Sequence, residues 1–126
     1  MDPHPSAVSL GKLGESLARD ELIRRGYAIL ATRYRSRFGE IDIVSEKDGV
    51  IVFVEVKARR NGRFGLAAEA IPVWKRRRIG AMALDYLAWT RRSNQRCRFD
   101  VVAIDSLGTK NQTINVIENA FETGKW

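Results

Sequence analysis

Residues 52–60 read VFVEVKARR. A run this rich in Val and Phe suits a buried strand. Yet Glu55 and Lys57 interrupt it, and Arg59 and Arg60 close it. Strand alternation puts Ile51, Phe53, Glu55 and Lys57 on one face and Val52, Val54 and Val56 on the other. The valine face is expected to pack on a helix. On the opposite face, apolar side chains give way to a carboxylate and an amine. A charge left unpaired in a packed sheet is costly, so something must compensate it.

The preceding stretch supplies the compensation. RYRSRFGEIDIVSEK (33–47) reads as a strand interrupted near Gly39, and EKDG (46–49) has the composition of a turn. With that turn, Ser45 pairs with Val50 and Val44 with Ile51. Asp42 then faces Phe53, Glu40 faces Glu55, and Asp42 becomes a diagonal neighbour of Glu55. Carboxylates gathered this closely repel one another unless a cation sits among them, and Mg²⁺ is a hard, oxygen-seeking cation of that kind. The plainer alternative is that Glu55 and Lys57 form an ion pair on a solvated face. Against it, both faces of the strand look covered, Asp42 lies in the apolar stretch IDIV, and arginines flank both strands.

The rest of the chain supplies a frame. Residues 1–8 carry two of the three prolines and are expected to form a disordered arm, with a single domain over 9–126. From Ser9, the spacing of Leu10, Leu13, Leu17, Leu22 and Ile23 predicts a helix that stops at Gly26. A short strand follows at 27–30, then the hairpin, then the glycine-bearing loop RRNGRFG (59–65). The segment VWKRRRIGAMALDYLAWTRR (73–92) is a second helix, which Pro72 either interrupts or begins. Strands are predicted at CRFDVVAID (97–105) and TINVIENAF (113–121). The order α-β-β-β-α-β-β implies an α/β fold built around a mixed sheet.

A chain of 126 residues supports one core. A net charge of +7 favours a polyanionic partner, nucleic acid before an acidic membrane surface, although a merely basic soluble protein has the same charge. The lone Cys97 permits no intrachain disulfide and no Cys-rich zinc site, which fits a reducing cytoplasm. His4 alone cannot build a histidine metal site. No run reaches the length of a membrane span, and the first residues lack the pattern of a signal peptide.

The ordered set GKLGESLARDELIRRGY (11–27), RFGEIDIV (37–44), VFVEVKARR, FGLAAEAI (64–71) and RFDVVAI (98–104) resembles the YraN family of predicted endonucleases. That family lies within the restriction-endonuclease-like PD-(D/E)xK superfamily and is similar in layout to Holliday-junction resolvases. The resemblance implies an α-β-β-β-α-β core with a central mixed sheet flanked by helices. It also implies a DNA phosphodiester as substrate, branched or damaged DNA as the setting, Mg²⁺ or Mn²⁺ as cofactor, and a homodimer. Carried across, Asp42 and Glu55 are the metal ligands, Glu15 is a helix carboxylate near the metal, the Val56 carbonyl is a backbone ligand, and Lys57 is the catalytic lysine. Ile41 stands where the superfamily pattern has a proline.

The basic residues then become expected phosphate contacts: Arg33, Arg35 and Arg37 before the Asp42 strand, Arg59, Arg60 and Arg63 after the Glu55 strand, and Lys75, Arg76, Arg77 and Arg78 opening the second helix. KRRR also reads as a solvated helix face, but cations near a helix N-terminus oppose the macrodipole and are not there for helix stability. Lys75 lies where some relatives of the fold place a further basic or polar catalytic residue. Trp74 and Trp89 could stack on bases, but their helical spacing favours the core. Asp100 is expected to partner an arginine outside the site. Two other functions share these features: a non-cleaving nucleic-acid-binding module or partner subunit, and an RNA-processing nuclease. The latter relies on a histidine site, which this chain, with His4 alone, does not offer.

Overall fold

Asp48 and Gly49 both take positive φ, +52° and +80°, and join two strands in a two-residue turn. Lys47 therefore pairs with Val50, Ser45 with Val52 and Val44 with Phe53. The turn is two residues tighter than EKDG would make it, so the expected register is off by two. Because side chains alternate with period two, a slip of two does not by itself move a residue to the other face.

The computed structural model describes residues 7–60 and 71–122, with side chains from residue 11. The elements are α1 (Ala7–Arg24), β1 (Ala28–Ser36), β2 (Gly39–Lys47), β3 (Val50–Ala58), α2 (Val73–Trp89), β4 (Cys97–Asp105) and β5 (Thr113–Ile117). The sheet runs β1-β2-β3-β4-β5. β3 and β4 pair in parallel, and every other pair is antiparallel. This is the mixed-sheet α/β architecture of a restriction-endonuclease-like core. Helix α1 already includes Ala7 and Val8, which the sequence assigned to an arm; residues 1–6, like Arg63 and Trp126, lie outside the described residues. β5 ends at Ile117, short of the predicted 121. Among the described residues, no helix is long and apolar enough to cross a membrane.

One helix covers each face of the sheet. Ala18 and Leu22 of α1 pack on Ile43, Val52, Val54, Val102 and Ile104. Ile79, Met82, Ala83, Tyr86 and Leu87 of α2 pack on Val44, Ile51, Phe53, Phe99 and Val101. Helix α1 stops where Gly26 takes φ +92°: its N–H bonds Ile23 O, and Tyr27 N–H bonds Leu22 O, closing the last turn on itself. Pro72 is the N-cap of α2 and so marks its true start.

Gly14 sets how closely α1 approaches the sheet. A Cβ there would lie 2.9 Å from Cβ of Ala58 and 3.8 Å from Cγ1 of Val56. Gly14→Ala is expected to push the helix off β3, costing about 1–3 kcal/mol and displacing Glu15 with it. Urea denaturation reads the loss; an unchanged midpoint would mean that the close approach is not needed.

Candidate functional site

The site forms where β2 leaves β3. Alternation would place Ile41 and Ile43 on one face, yet Ile41 packs on the α2 side and Ile43 on the α1 side. The strand turns over at Asp42, and among the described residues the β2–β3 pairing ends at Ile43–Val54. The Val56 N–H beyond that point donates to Oδ2 of Asp42 at 2.8 Å. A side-chain carboxylate thus takes over from the ladder as acceptor for a strand amide and is held in place by it.

Burial, followed by the negative charge of Glu55, pushes the Asp42 pKa up to about 7, although the Val56 N–H and Lys75 oppose the shift. An acid perturbed in this way within a cleft is a candidate functional residue. One oxygen each from Glu15, Glu40 and Asp42 can lie within 4.8 Å of one another. The sequence placed Glu40 on the face of Asp42 but left it out of the ligand set.

Glu55 is buried, and its Oε1 accepts a 2.6 Å hydrogen bond from Nζ of Lys75. Nζ of Lys57 lies 4.0 Å from the same oxygen. Burial lowers the Lys57 pKa, and the positive charge of Lys75 lowers it further. For Lys75, burial alone would act downward, but the hydrogen bond and charge of Glu55 outweigh it and hold the pKa above its ordinary value. Lys75 therefore stands at the carboxylates rather than among the solvent-facing cations. What pointed to Lys75 beforehand is its place in the resemblance, where some relatives of the fold carry a further basic or polar catalytic residue.

Glu15, Asp42, Glu55, Val56 and Lys57 line a cavity of about 450 Å³. A second cavity of about 290 Å³ shares Glu15 and Asp42 and is bordered by Lys12, Arg19 and Arg33. The structure thus brings together all four residues expected to carry the chemistry. At Val56 it engages the N–H, and the residue borders the cavity.

The arginines divide. Arg33, held at φ +52°, pairs with Glu15 at 2.7 Å, and Arg35 with Glu40 at 3.1 Å. Nε of Arg76 bonds the Ile71 carbonyl. Arg37, Arg60, Arg77 and Arg78 are exposed, and Arg59 is half-buried. Trp74 and Trp89, which helical spacing favoured for the core, are 61% and 77% exposed. Trp74 shares a helix stripe with Arg78 and Asp85, opposite Ile79, Ala83 and Tyr86, and that signal was present in the sequence.

Residues 14–104 match the model of the uncharacterised protein family UPF0102. A UPF0102 protein of Syntrophus aciditrophicus is 46% identical over 112 residues, covering 89% of this chain and 87% of the relative. One of Geobacter metallireducens is 46% identical over 114 residues, covering 90% and 93%. One of Roseiflexus castenholzii is 47% identical over 108 residues, covering 85% and 86%. The match takes in Glu15, Asp42, Glu55, Lys57 and Lys75 along with β1, β2, β3 and α2, and the chain belongs to the UPF0102 family.

Proposed function

We propose that this protein is a metal-dependent DNA endonuclease that hydrolyses phosphodiester bonds, with branched or damaged DNA as its setting. The observation that carries this reading is a half-buried Asp42, its pKa pushed up to about 7, in one cleft with Glu15, Glu55 and Lys57. The donor set suits a hard cation: Glu15, Glu40 and Asp42 bring one oxygen each within 4.8 Å of one another, and repulsion from Glu55 helps hold Asp42 above the ordinary carboxylate range. Asp42, Glu15 and Glu55 would hold Mg²⁺ or Mn²⁺, with Glu40 and the Val56 carbonyl beside them. When bound, the ion supplies charge neutralisation at the phosphate and a more acidic water.

The chain's own groups do the rest. The Val56 N–H fixes the orientation of Asp42. Lys75 holds Glu55 in a single direction. Lys57, whose pKa burial lowers, orients the attacking water or meets negative charge as it develops on the phosphate. Arg37, Arg59, Arg60, Arg77 and Arg78 grip the flanking phosphates, which makes binding salt-dependent. A homodimer would place two such clefts on two strands.

A second reading has its own support. Lys75 already neutralises Glu55, Arg33 pairs with Glu15 and Arg35 with Glu40, so the carboxylates have internal cations. A non-cleaving nucleic-acid-binding module would look like this. Incubating supercoiled, single-stranded and four-way-junction DNA with Mg²⁺, Mn²⁺ or EDTA separates the two. Metal-dependent cutting that Lys57→Ala lowers by at least about a hundredfold is expected for the nuclease. Salt-sensitive binding with no cutting by the wild type assigns the chain to the binding class.

A further inference from the structure

Two aromatic rings stand in solvent next to this site. Trp74, in the first turn of α2, is 61% exposed, and Phe38, where β1 turns into β2, is 37% exposed. Each lies against an arginine: the guanidinium carbon of Arg78 is 5.2 Å from the Trp74 centroid, and that of Arg37 is 4.9 Å from the Phe38 centroid. The two pairs adjoin. A Cβ on Gly39 would lie 3.7 Å from Cδ of Arg78 and 3.6 Å from Sδ of Met82, so the hairpin end rests on α2. Trp74 also directly precedes Lys75, whose amine holds Glu55.

The core draws its aromatics from elsewhere, with Tyr34, Phe53, Tyr86, Phe99 and Phe121 packed ring against ring. Trp74 and Phe38 are left with one ring face on an arginine and much of their surface in water. A surface that is both flat-aromatic and cationic complements a ligand with flat π-faces joined by anionic links. Unpaired nucleotides have that form, whereas a duplex hides its base faces inside the stack. The exposed positive charge of Arg37, Arg77 and Arg78 supplies the complement to the phosphates.

We propose that Trp74 and Phe38 are stacking platforms for unpaired bases, so that the DNA taken by this cleft carries a single-stranded segment beside the phosphodiester to be cut. The proposal rests on the nuclease reading of the Asp42 site and narrows its substrate class. The bases lie on α2 and the hairpin end, while the backbone runs past Lys75 towards Glu55 and Asp42.

Binding is measured in EDTA, so that cutting cannot intervene. Trp89→Phe with Trp126→Phe leaves Trp74 as the single tryptophan. Oligothymidylate is expected to quench its fluorescence, and a duplex of equal length to quench it far less. Trp74→Ala is expected to weaken single-strand binding by about tenfold and duplex binding by less than about twofold, with Trp74→Phe retaining most of the affinity. Equal losses on both DNAs, or absence of quenching, overturn the proposal. So does sedimentation showing that Trp74→Ala dissolves a dimer, which would give the patch to a second copy of the chain. Cleavage in Mg²⁺ is scored separately. Selective single-strand binding by a wild type that cuts nothing sinks the nuclease reading and leaves the platforms standing. Cutting that Trp74→Ala leaves unchanged on every DNA sinks the platforms alone.

Discussion

Asp42→Asn is expected to abolish metal-dependent cleavage and, in the same molecule, to make the metal-free protein more stable above neutral pH. The first effect follows from losing the central carboxylate of the cluster, at least about a thousandfold in rate if the cleft acts as proposed. The second follows from linkage. The folded-state pKa of Asp42 is raised to about 7 from an ordinary 3.8, by burial first and Glu55 second. Below 3.8 the group is protonated whether the chain is folded or not, and it costs nothing. As pH climbs from there to 7, the unfolded chain releases the proton while the folded chain still holds it, so stability falls, and above 7 the full penalty is in place. Between about pH 5 and pH 8 the metal-free wild type is expected to lose roughly 3 kcal/mol from this group. The substituted amide keeps an oxygen for the Val56 N–H and carries no charge, so the variant should lose far less. Urea melts in EDTA across that range give the comparison. Adding Mg²⁺ at the alkaline end should restore the wild type and leave the Asp42→Asn variant unmoved. Parallel pH profiles for the two proteins would remove the electrostatic account of this site.

The largest effect on stability is expected away from the site, at Asp100. Its carboxylate is fully buried and accepts from Nε of Arg98 at 3.1 Å, Nη2 of Arg98 at 3.3 Å, the Tyr27 hydroxyl at 3.1 Å and the Asn119 N–H at 2.9 Å. Burial, then the charge of Asp100, raises the Tyr27 pKa to about 12, so the phenol keeps its proton and donates. These bonds tie the end of α1 and the chain after β5 to the centre of β4. Asp100→Ala removes the carboxylate partner of a half-buried guanidinium and the acceptor of the Tyr27 hydroxyl and the Asn119 N–H at once, and is expected to cost about 3–5 kcal/mol. Arg98→Met combined with Asp100→Leu removes both charges and should recover much of that loss, because breaking a buried pair is costlier than replacing it. Thermal melts of the single and double variants decide this. A double variant no better than Asp100→Ala would locate the cost in the Tyr27 and Asn119 bonds instead.

Where local chemistry and burial agree, the sequence was readable. The valine-rich strand, the Gly26 stop and the arginine partner of Asp100 all appear as read, and Pro72, readable as a break or as a start, begins α2. The hairpin register was misread by two, because EKDG allows a four-residue or a two-residue turn and only the positive φ of Asp48 and Gly49 separates them. The site remained legible through that error because faces repeat every second residue. The turning over of β2 at Asp42 was not legible. Simple alternation keeps Ile41 and Ile43 together, and what parts them is packing against two different helices. Lys75 was visible as one cation in a run of four; its contact with Glu55 depends on how α2 docks, which periodicity does not report. The tryptophans depart from expectation because their helical spacing fits the exposed charged stripe as well as the core.

The central place of β3 has a consequence for the chain as it is made. Glu15, Asp42, Glu55, Lys57 and Lys75 all precede β4 in sequence, so every group of the cleft is synthesised before the strand that covers the far side of β3. Until β4 arrives, Val50–Ala58 offers an open apolar edge of the kind that recruits other strands and aggregates. Glu55 and Lys57 break that run near its end, as charged gatekeepers do in strands that must wait for their neighbours. The same two residues that line the cleft stand where gatekeepers act in such a strand.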